Sequence, residues 1–442
     1  MTIPFGKELL PISVPHVGQI LSPPTLTPIE DVGDLLKAEL GGEYCASLLE
    51  TVEKKVRGGN NPTAAIVVND YTRPTPLHAV LPTLLDVLNA CGVEDSLIRI
   101  VIALGTHRPM SEEEFRSQAG EQVLNRVGFV NPDIDDPHSL LSLGTSPSGV
   151  EVLVNREYAQ ADVKIAVGTI LPHGAVGFSG GAKLIYPGIA GRKTVESFHV
   201  AANSDPGNQA GRLDSPIREE IEKLVELVGL DLMINLVVDP AGAVCGLSAG
   251  HYIDSHRRAV PLAQKLYGLP ISRKSAVLVV GSTPADLDFW QAAKAIFNCQ
   301  AAVEDGGWLV LLAPCAEGIP AEHASFDRCI GLPPVRIAAL LAQTAGQVEP
   351  AALAGRDGAD PSMDRVTLAP ALALSRFRQR IRIAVVSPGL SSEQVERMGF
   401  SYFRSVEAAL DSILKDLPAA ERRVDVVTHG GATYPFVGPG AS

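Results

Sequence analysis

Cysteine pairing is the first thing this 442-residue chain lacks: Cys45, Cys91, Cys245, Cys299, Cys315 and Cys329 are scattered, with no C-x-x-C among them. The absence argues against a zinc ribbon, a thioredoxin-type motif and a dense disulfide framework, and it suits buried thiols in a reducing compartment. Basic charge is also scarce. With 37 Lys and Arg against 50 Asp and Glu, the formal net charge of -13 disfavours a nucleic-acid partner. No apolar run approaches membrane-spanning length, and Pro4, Lys7, Glu8 and Pro11 interrupt the place where a signal peptide would need its apolar segment. The expectation is a soluble, cytoplasmic protein with no membrane partner.

What is present is an ordinary globular composition, 46% hydrophobic and 20% charged, in a chain long enough for two or three packed domains. Apolar runs of strand length alternate with helical patterns. Strands are expected at Ala64 to Asp70, Ile98 to Leu104, Val163 to Val167, Leu232 to Val238, Ala276 to Gly281, Trp308 to Ala313, Ile381 to Val386 and Val424 to Val427. Helices are expected at Pro82 to Leu88, Pro216 to Val228, His256 to Tyr267, Phe289 to Ala302 and Val406 to Leu414. That alternation predicts an α/β fold with mostly parallel sheets. Pro270 and its polar neighbours place a boundary within Gly268 to Lys274, giving domains over 1–269 and 270–442. The final strand is the one element that could return to the first domain. Ala352 to Asp364, rich in Gly, Ala, Asp and Pro, reads as a loop near a cleft or on the surface.

The densest motif runs from Leu171 to Gly191, with glycines at 174, 177, 180, 181, 188 and 191, and His173, Lys183 and His199 in or just beyond it. It is not a Walker A loop, because Ala182 separates Gly181 from Lys183 and Leu184 follows the lysine. An anion-friendly turn remains, and its lysine, if desolvated, would have a lowered pKa and could bond covalently to an electrophile. The plain alternative is a glycine-rich crossover with a solvated lysine. Two further loops follow strands, where open parallel sheets place ligands. Asp70-Tyr-Thr72-Arg73-Pro offers a guanidinium fork for carboxylate or phosphate, and Gly105-Thr-His107-Arg offers a histidine placed for proton transfer. Trp290, Gln291 and Lys294 fall within about one helical turn, with Trp290 and Lys294 at i, i+4. Each feature alone has a bland reading: a surface turn, a hydrogen-bonding histidine, a core tryptophan beside an exposed lysine.

Taken in order, Asp70-Tyr-Thr-Arg-Pro-Thr-Pro76, Leu104-Gly-Thr-His-Arg108, Pro172 to Lys183, Tyr186 to Ala190, His199 and Gln291-Ala-Ala-Lys294 resemble the nickel-pincer-dependent lactate racemase family, from about residue 60 to about 320. The resemblance implies two α/β domains enclosing a cleft, and a nickel-pincer nucleotide cofactor whose thioamide is attached to Lys183. Nickel would be held by carbon and sulfur of that group and by His199. His107 and His173 would be the acid/base pair. Asp70, Thr72, Arg73, Gly180, Gly181, Gln291 and Lys294 would surround the cofactor, with Arg73, Trp290 and Lys294 also at the substrate. The implied activity is racemisation or epimerisation of a 2-hydroxy acid, an isomerase reaction in which the Cα hydrogen leaves as hydride through a 2-keto acid. Lactate-specific members carry tyrosine at the position of Trp290, which tells against lactate, and the region after residue 330, which helps line the cleft, diverges, which points to a larger acid such as malate or a sugar acid. Cofactor-synthesis enzymes become implied partners, and the oligomeric state stays open, a homo-oligomer included. Two readings compete: a zinc hydrolase with His107, His173 and His199 as ligands, and a non-catalytic binding protein for a phosphorylated small molecule.

Overall fold

The strand Ala64–Asn69 is buried at all six positions, as expected of an unbroken apolar run in a parallel sheet covered on both faces. It sits inside the first of two six-stranded sheets in the computed structural model, which describes residues 1–146, 149–205, 207–344 and 363–438. Across that sheet the order is Val244–Gly250, Leu232–Val238, Val163–Thr169, Ala64–Asn69, Ile98–Ala103, Phe129–Val130. All neighbours are parallel except the first pair. Alternation divides the side chains. Ile66, Val68, Ile100 and Ile102 pack with the helix Leu81–Ala90, whereas Ala65, Val67 and Val101 pack with the helices Arg192–Ser204 and Pro216–Val228.

The second sheet is wholly parallel, in the order Ser401–Phe403, Arg382–Val386, Val303–Leu312, Ser275–Gly281, Val424–Val427, Val17–Leu21. The chain is thus α/β with two mostly parallel sheets. The division by residue number needs correcting at the N-terminus. Val17–Leu21 forms the edge of the second sheet, and Ile3 and Ile12 pack with Val277, Val279 and Val310, so the first 21 residues join the second unit. The last strand of the second sheet stays there. A later strand, Tyr434–Val437, pairs with Gly268–Ile271, and Tyr434 packs beside Ile170 and Phe178 of the first unit. Of the expected loop Ala352 to Asp364, all but the last two residues lie outside the described residues. Asp364 itself caps the helix Arg365–Arg380, its Oδ1 accepting from Thr367 N at 2.8 Å. Among the described residues no helix is long and apolar enough to cross a membrane.

Candidate active site

In the first sheet the chain moves outward from Ala64–Asn69 to Ile98–Ala103 and Phe129–Val130, then returns to the other side as Val163–Thr169. The strand order therefore reverses between Ala64–Asn69 and Val163–Thr169, and the crevice beyond their carboxyl ends is where such sheets take ligands. Hydrogen bonds lock this point. Asn69 Oδ1 accepts from Thr169 N at 2.8 Å and from Thr75 Oγ1 at 3.0 Å, while the Thr75 and Thr169 hydroxyls meet at 2.7 Å.

One cavity opens here, with about 700 Å³ of empty space, its mouth included. Asp70, Arg73, His107, His173, Gly180, Lys183, His199, Trp290 and Lys294, all singled out from sequence, line it. Three do not. Gln291 is buried behind it and reaches His107, Thr72 holds Asp70, and Gly181 packs under the side chain of His256.

The glycine turn lies tightly on the strand Leu232–Val238. Gly180 has φ +74°, and a Cβ there would fall 2.9 Å from both Asn235 Oδ1 and Ile170 Cγ1, so only glycine fits. Gly181 N donates to Asn235 Oδ1 at 3.0 Å, and the His256 ring meets Ser179 O at 2.9 Å. Beneath the turn, buried Arg218 donates to the carbonyls of Val176 (3.2 Å) and Phe178. Lys183 is thereby fixed at the cavity wall, with Phe198 at 5.6 Å from its Nζ.

A hydrogen-bonded chain crosses from the first unit to the second. Asp70 is 2% exposed, and its Oδ2 meets His107 Nδ1 at 2.5 Å while Oδ1 accepts from the Thr72 hydroxyl at 2.6 Å. The far nitrogen of His107 lies 3.0 Å from Gln291 Nε2, and Lys294 Nζ donates to Gln291 Oε1. Gln291 enters this chain from the first turn of the helix Phe289–Cys299, capped by Asp288 accepting Gln291 N at 2.8 Å. These partners assign the tautomer: the carboxylate takes Nδ1–H, leaving Nε2 of His107 as an acceptor for the Gln291 amide. His173 is the reverse. Its Nδ1 accepts from Ala175 N at 3.2 Å, which puts the proton of the neutral ring on Nε2.

Burial sets the electrostatics. Lys183 is lowered to about 7, first by desolvation and then by Arg73 and Arg218. Lys294 and His173 are pushed well below their usual values by burial and neighbouring cations, and His199 falls to about 3 by burial, Lys183 and His107. Burial alone would raise Asp70, but His107, Arg73 and Thr72 overcome it and hold the carboxyl at about 2. The site therefore combines one carboxylate, a guanidinium, two poised amines and neutral imidazoles. Such a lining favours anionic ligands.

Other residues reach this site without having been given a role from the sequence. His323 stacks on Trp290 with ring centroids 3.6 Å apart, and its ring nitrogens meet Thr106 Oγ1 and Thr367 Oγ1, each at 3.2 Å. Arg108, beside His107, lies over Tyr71 and pairs with Glu114 at 2.7 Å and Glu317 at 2.9 Å, tying the two units. Only Arg218 carried a usable signal, a charge on the apolar face of an otherwise amphipathic helix. A three-histidine zinc site has no geometric support, since no group of three or more His, Cys, Asp or Glu side chains among the described residues could hold a metal ion.

Two mostly parallel sheets, with the catalytic-type side chains gathered where the first one reverses its strand order, define an α/β enzyme-like architecture. Comparison with known proteins narrows this. The lactate racemase N-terminal domain matches residues 5–211. The lactate racemase of Thermoanaerobacterium thermosaccharolyticum is 30% identical over 335 residues, covering 72% of this chain and 74% of that protein. The lactate racemase of Lactiplantibacillus plantarum is 31% identical over 272 residues, covering 61% of this chain and spanning only 63% of that relative's length. The chain belongs to the lactate racemase family. Its fold matches the T. thermosaccharolyticum lactate racemase apoprotein with a TM-score of 0.80 over 98% of this chain and 99% of that one, at 24% identity. A Thermotoga maritima protein matches with a TM-score of 0.67 over 89% of this chain and 98% of its own, at 21% identity.

Proposed function

We propose that this chain is a 2-hydroxy-acid racemase or epimerase that carries a nickel-pincer nucleotide on Lys183. The observation that carries the proposal is the chain Asp70–His107–Gln291–Lys294 meeting Lys183, His173 and His199 around a single cavity. Family membership supports the reaction class.

The residues fit the cofactor by their chemistry. Lys183 Nζ has no hydrogen bond or ion pair among the described residues and is lowered to about 7, so a neutral amine is available for a covalent link. The ring nitrogens of His199 are likewise unpartnered among the described residues, and its lowered pKa leaves the neutral imidazole that a nickel ligand must be. When bound, the cofactor would supply an acceptor for the Cα hydrogen as hydride, which avoids building carbanion charge beside a carboxylate.

The chain's own groups do the rest. Arg73 and Lys294 hold the substrate carboxylate from the cavity wall. His107 takes the hydroxyl proton at Nε2 as the substrate hydroxyl displaces the Gln291 amide there, and Asp70, ionised down to about pH 2, steadies the imidazolium through Nδ1–H. His173 stands in the same cavity with its proton on Nε2. A planar 2-keto acid can turn its oxygen toward either ring: His173 Nε2–H holds it by a hydrogen bond, and the proton returned to it is the one His107 took, so neither ring ends as an imidazolate. The packed glycine turn and Trp290 keep water from the keto acid.

The test is production alongside the cofactor-synthesis enzymes, with intact mass and chiral separation as readouts. A covalent adduct on Lys183 and conversion of single-enantiomer 2-hydroxy acids to mixtures are expected. An adduct-bearing protein that racemises none of them defeats the proposal, and so does a protein that racemises with Lys183 unmodified.

A further inference from the structure

Behind the polar cavity lies a second chamber of different character, with about 550 Å³ of empty space, its mouth included. The two share a neck of His173, Phe198, His199, Trp290 and Lys294. Beyond the neck the walls are Phe297, Phe326, Pro370, Ala175 and Ala293, with Asn203 as the single uncharged polar side chain. Even Asn203 spends its amide on its own helix, donating to His199 O at 2.8 Å. Aromatic contacts make the walls firm: Trp290 against Phe326 at 4.7 Å between centroids, and Phe297 against Phe377 at 5.4 Å.

Resting on the racemase reading above, we infer that this chamber receives the substrate's side chain, and that the substrate is a monocarboxylic 2-hydroxy acid bearing a branched-alkyl or aryl group. Lys294 and His173 stand at the neck, so a carboxylate held by Arg73 and Lys294 and a hydroxyl facing the histidines leave the third substituent directed at the apolar walls. The phosphate of a bound nucleotide would suit the first cavity, which Arg73 and the backbone at Gly180 line, rather than this chamber, where no charged group lies past Lys294. Malate and sugar acids fit badly. A second carboxylate finds no cation past Lys294, and a polyol chain finds one amide among hydrocarbon walls. A substrate with a branched-alkyl or aryl group thus departs from the malate or sugar acid expected from the divergence after residue 330.

Two measurements test the inference, one of them independent of turnover. Trp290 and Trp308 are the only tryptophans. In Trp308→Phe, Trp290 emission reports filling of the neck in the full chain, with or without cofactor. Titration with 3-phenyl-2-hydroxypropanoate, 2-hydroxy-4-methylpentanoate, lactate, malate and gluconate should give Kd values at least about tenfold lower for the first two than for the rest, since one methylene in an apolar pocket discriminates by about that much or more. The cofactor-loaded protein should show the same order in kcat/KM. Narrowing the chamber with Asn203→Phe or Ala293→Leu should cut the preference over lactate by about tenfold. Best binding and turnover of lactate, malate or gluconate, equal affinity across the panel, or binding of none of them overturns the inference; in the first two cases racemisation still stands. Loss of racemisation for every acid, with the binding order kept, overturns the reaction instead.

Discussion

The first unit and the second contribute to the site in different ways. The first supplies five reactive side chains, Asp70, Arg73, His107, His173 and Lys183, from three loops that follow parallel strands and are pinned by hydrogen bonds to neighbouring backbone. The second contributes through one helix turn, where Trp290 and Lys294 line the cavity and Gln291 joins the two units through His107. Rigid strand ends suit covalent attachment and proton transfer, which tolerate little displacement. The second unit meets the first through side-chain contacts, Gln291 with His107, Glu317 with Arg108 and His323 with Thr106, rather than through backbone pinned at strand ends. If that division is right, changes in the first unit abolish chemistry and changes in the second weaken it.

The largest effect is expected at Lys183. Lys183→Ala removes the proposed attachment point, so intact mass should show no adduct and activity should vanish; an unchanged adduct would erase the distinction between the units. Next come the histidines. His107→Ala and His173→Ala should keep the adduct yet lose about 10²- to 10⁴-fold in kcat, the usual worth of general acid–base catalysis. A double variant that retains wild-type turnover would remove the proton-transfer scheme. Gln291→Ala should cost only about tenfold in kcat/KM, the scale of one hydrogen bond, with the adduct intact. A loss at Gln291 as large as that at His107 would mean that the second unit shares the chemistry.

A subtler comparison uses pH. Lys183 is lowered to about 7, so above that pH its amine is mostly neutral and nucleophilic, and below it mostly protonated. Labelling of the cofactor-free protein by an acylating reagent, read by peptide mass, should therefore rise through a midpoint near pH 7 at Lys183 and near 10 at surface lysines. A midpoint at Lys183 matching the surface lysines would show that burial does not poise it.

How much of this was legible in the chain follows from where the information resides. Strands such as Ala64–Asn69 and Leu232–Val238 are covered on both faces, so their sequences are continuous apolar runs. The edge strand Val17–Leu21 is half open, with Val17 46% and Ile20 51% exposed, and it reads as loop. The helix Arg192–Ser204 mixes charge with apolar positions whose burial comes from helices above and below it, so only His199 within it stood out. Site residues in runs, such as Asp70 to Arg73 and Gly180 to Lys183, carry their own pattern. His323 has none, because its stack on Trp290 joins two separate elements of the second unit and its contact with Thr106 exists only once the two units meet.

The last comparison concerns stability rather than turnover and again separates the site from the scaffold. His199 falls to about 3 in the folded chain, against about 6.5 when unfolded. Between those values the unfolded chain binds a proton that the folded chain refuses, so unfolding takes up protons and stability declines as pH falls, levelling off below about 3. The slope from this one ring approaches about 1.4 kcal/mol per pH unit between those values, the worth of one proton taken up on unfolding. His256, also lowered to about 3, lies under the glycine turn and adds its own term to the scaffold. His199→Asn should remove only the first contribution. Urea unfolding of the cofactor-free protein from pH 7 to pH 4 should thus show the variant gaining on the wild type steadily as acid is added. Parallel curves would place the His199 ring in contact with water, and the neutral imidazole assumed for a nickel ligand would lose its physical basis.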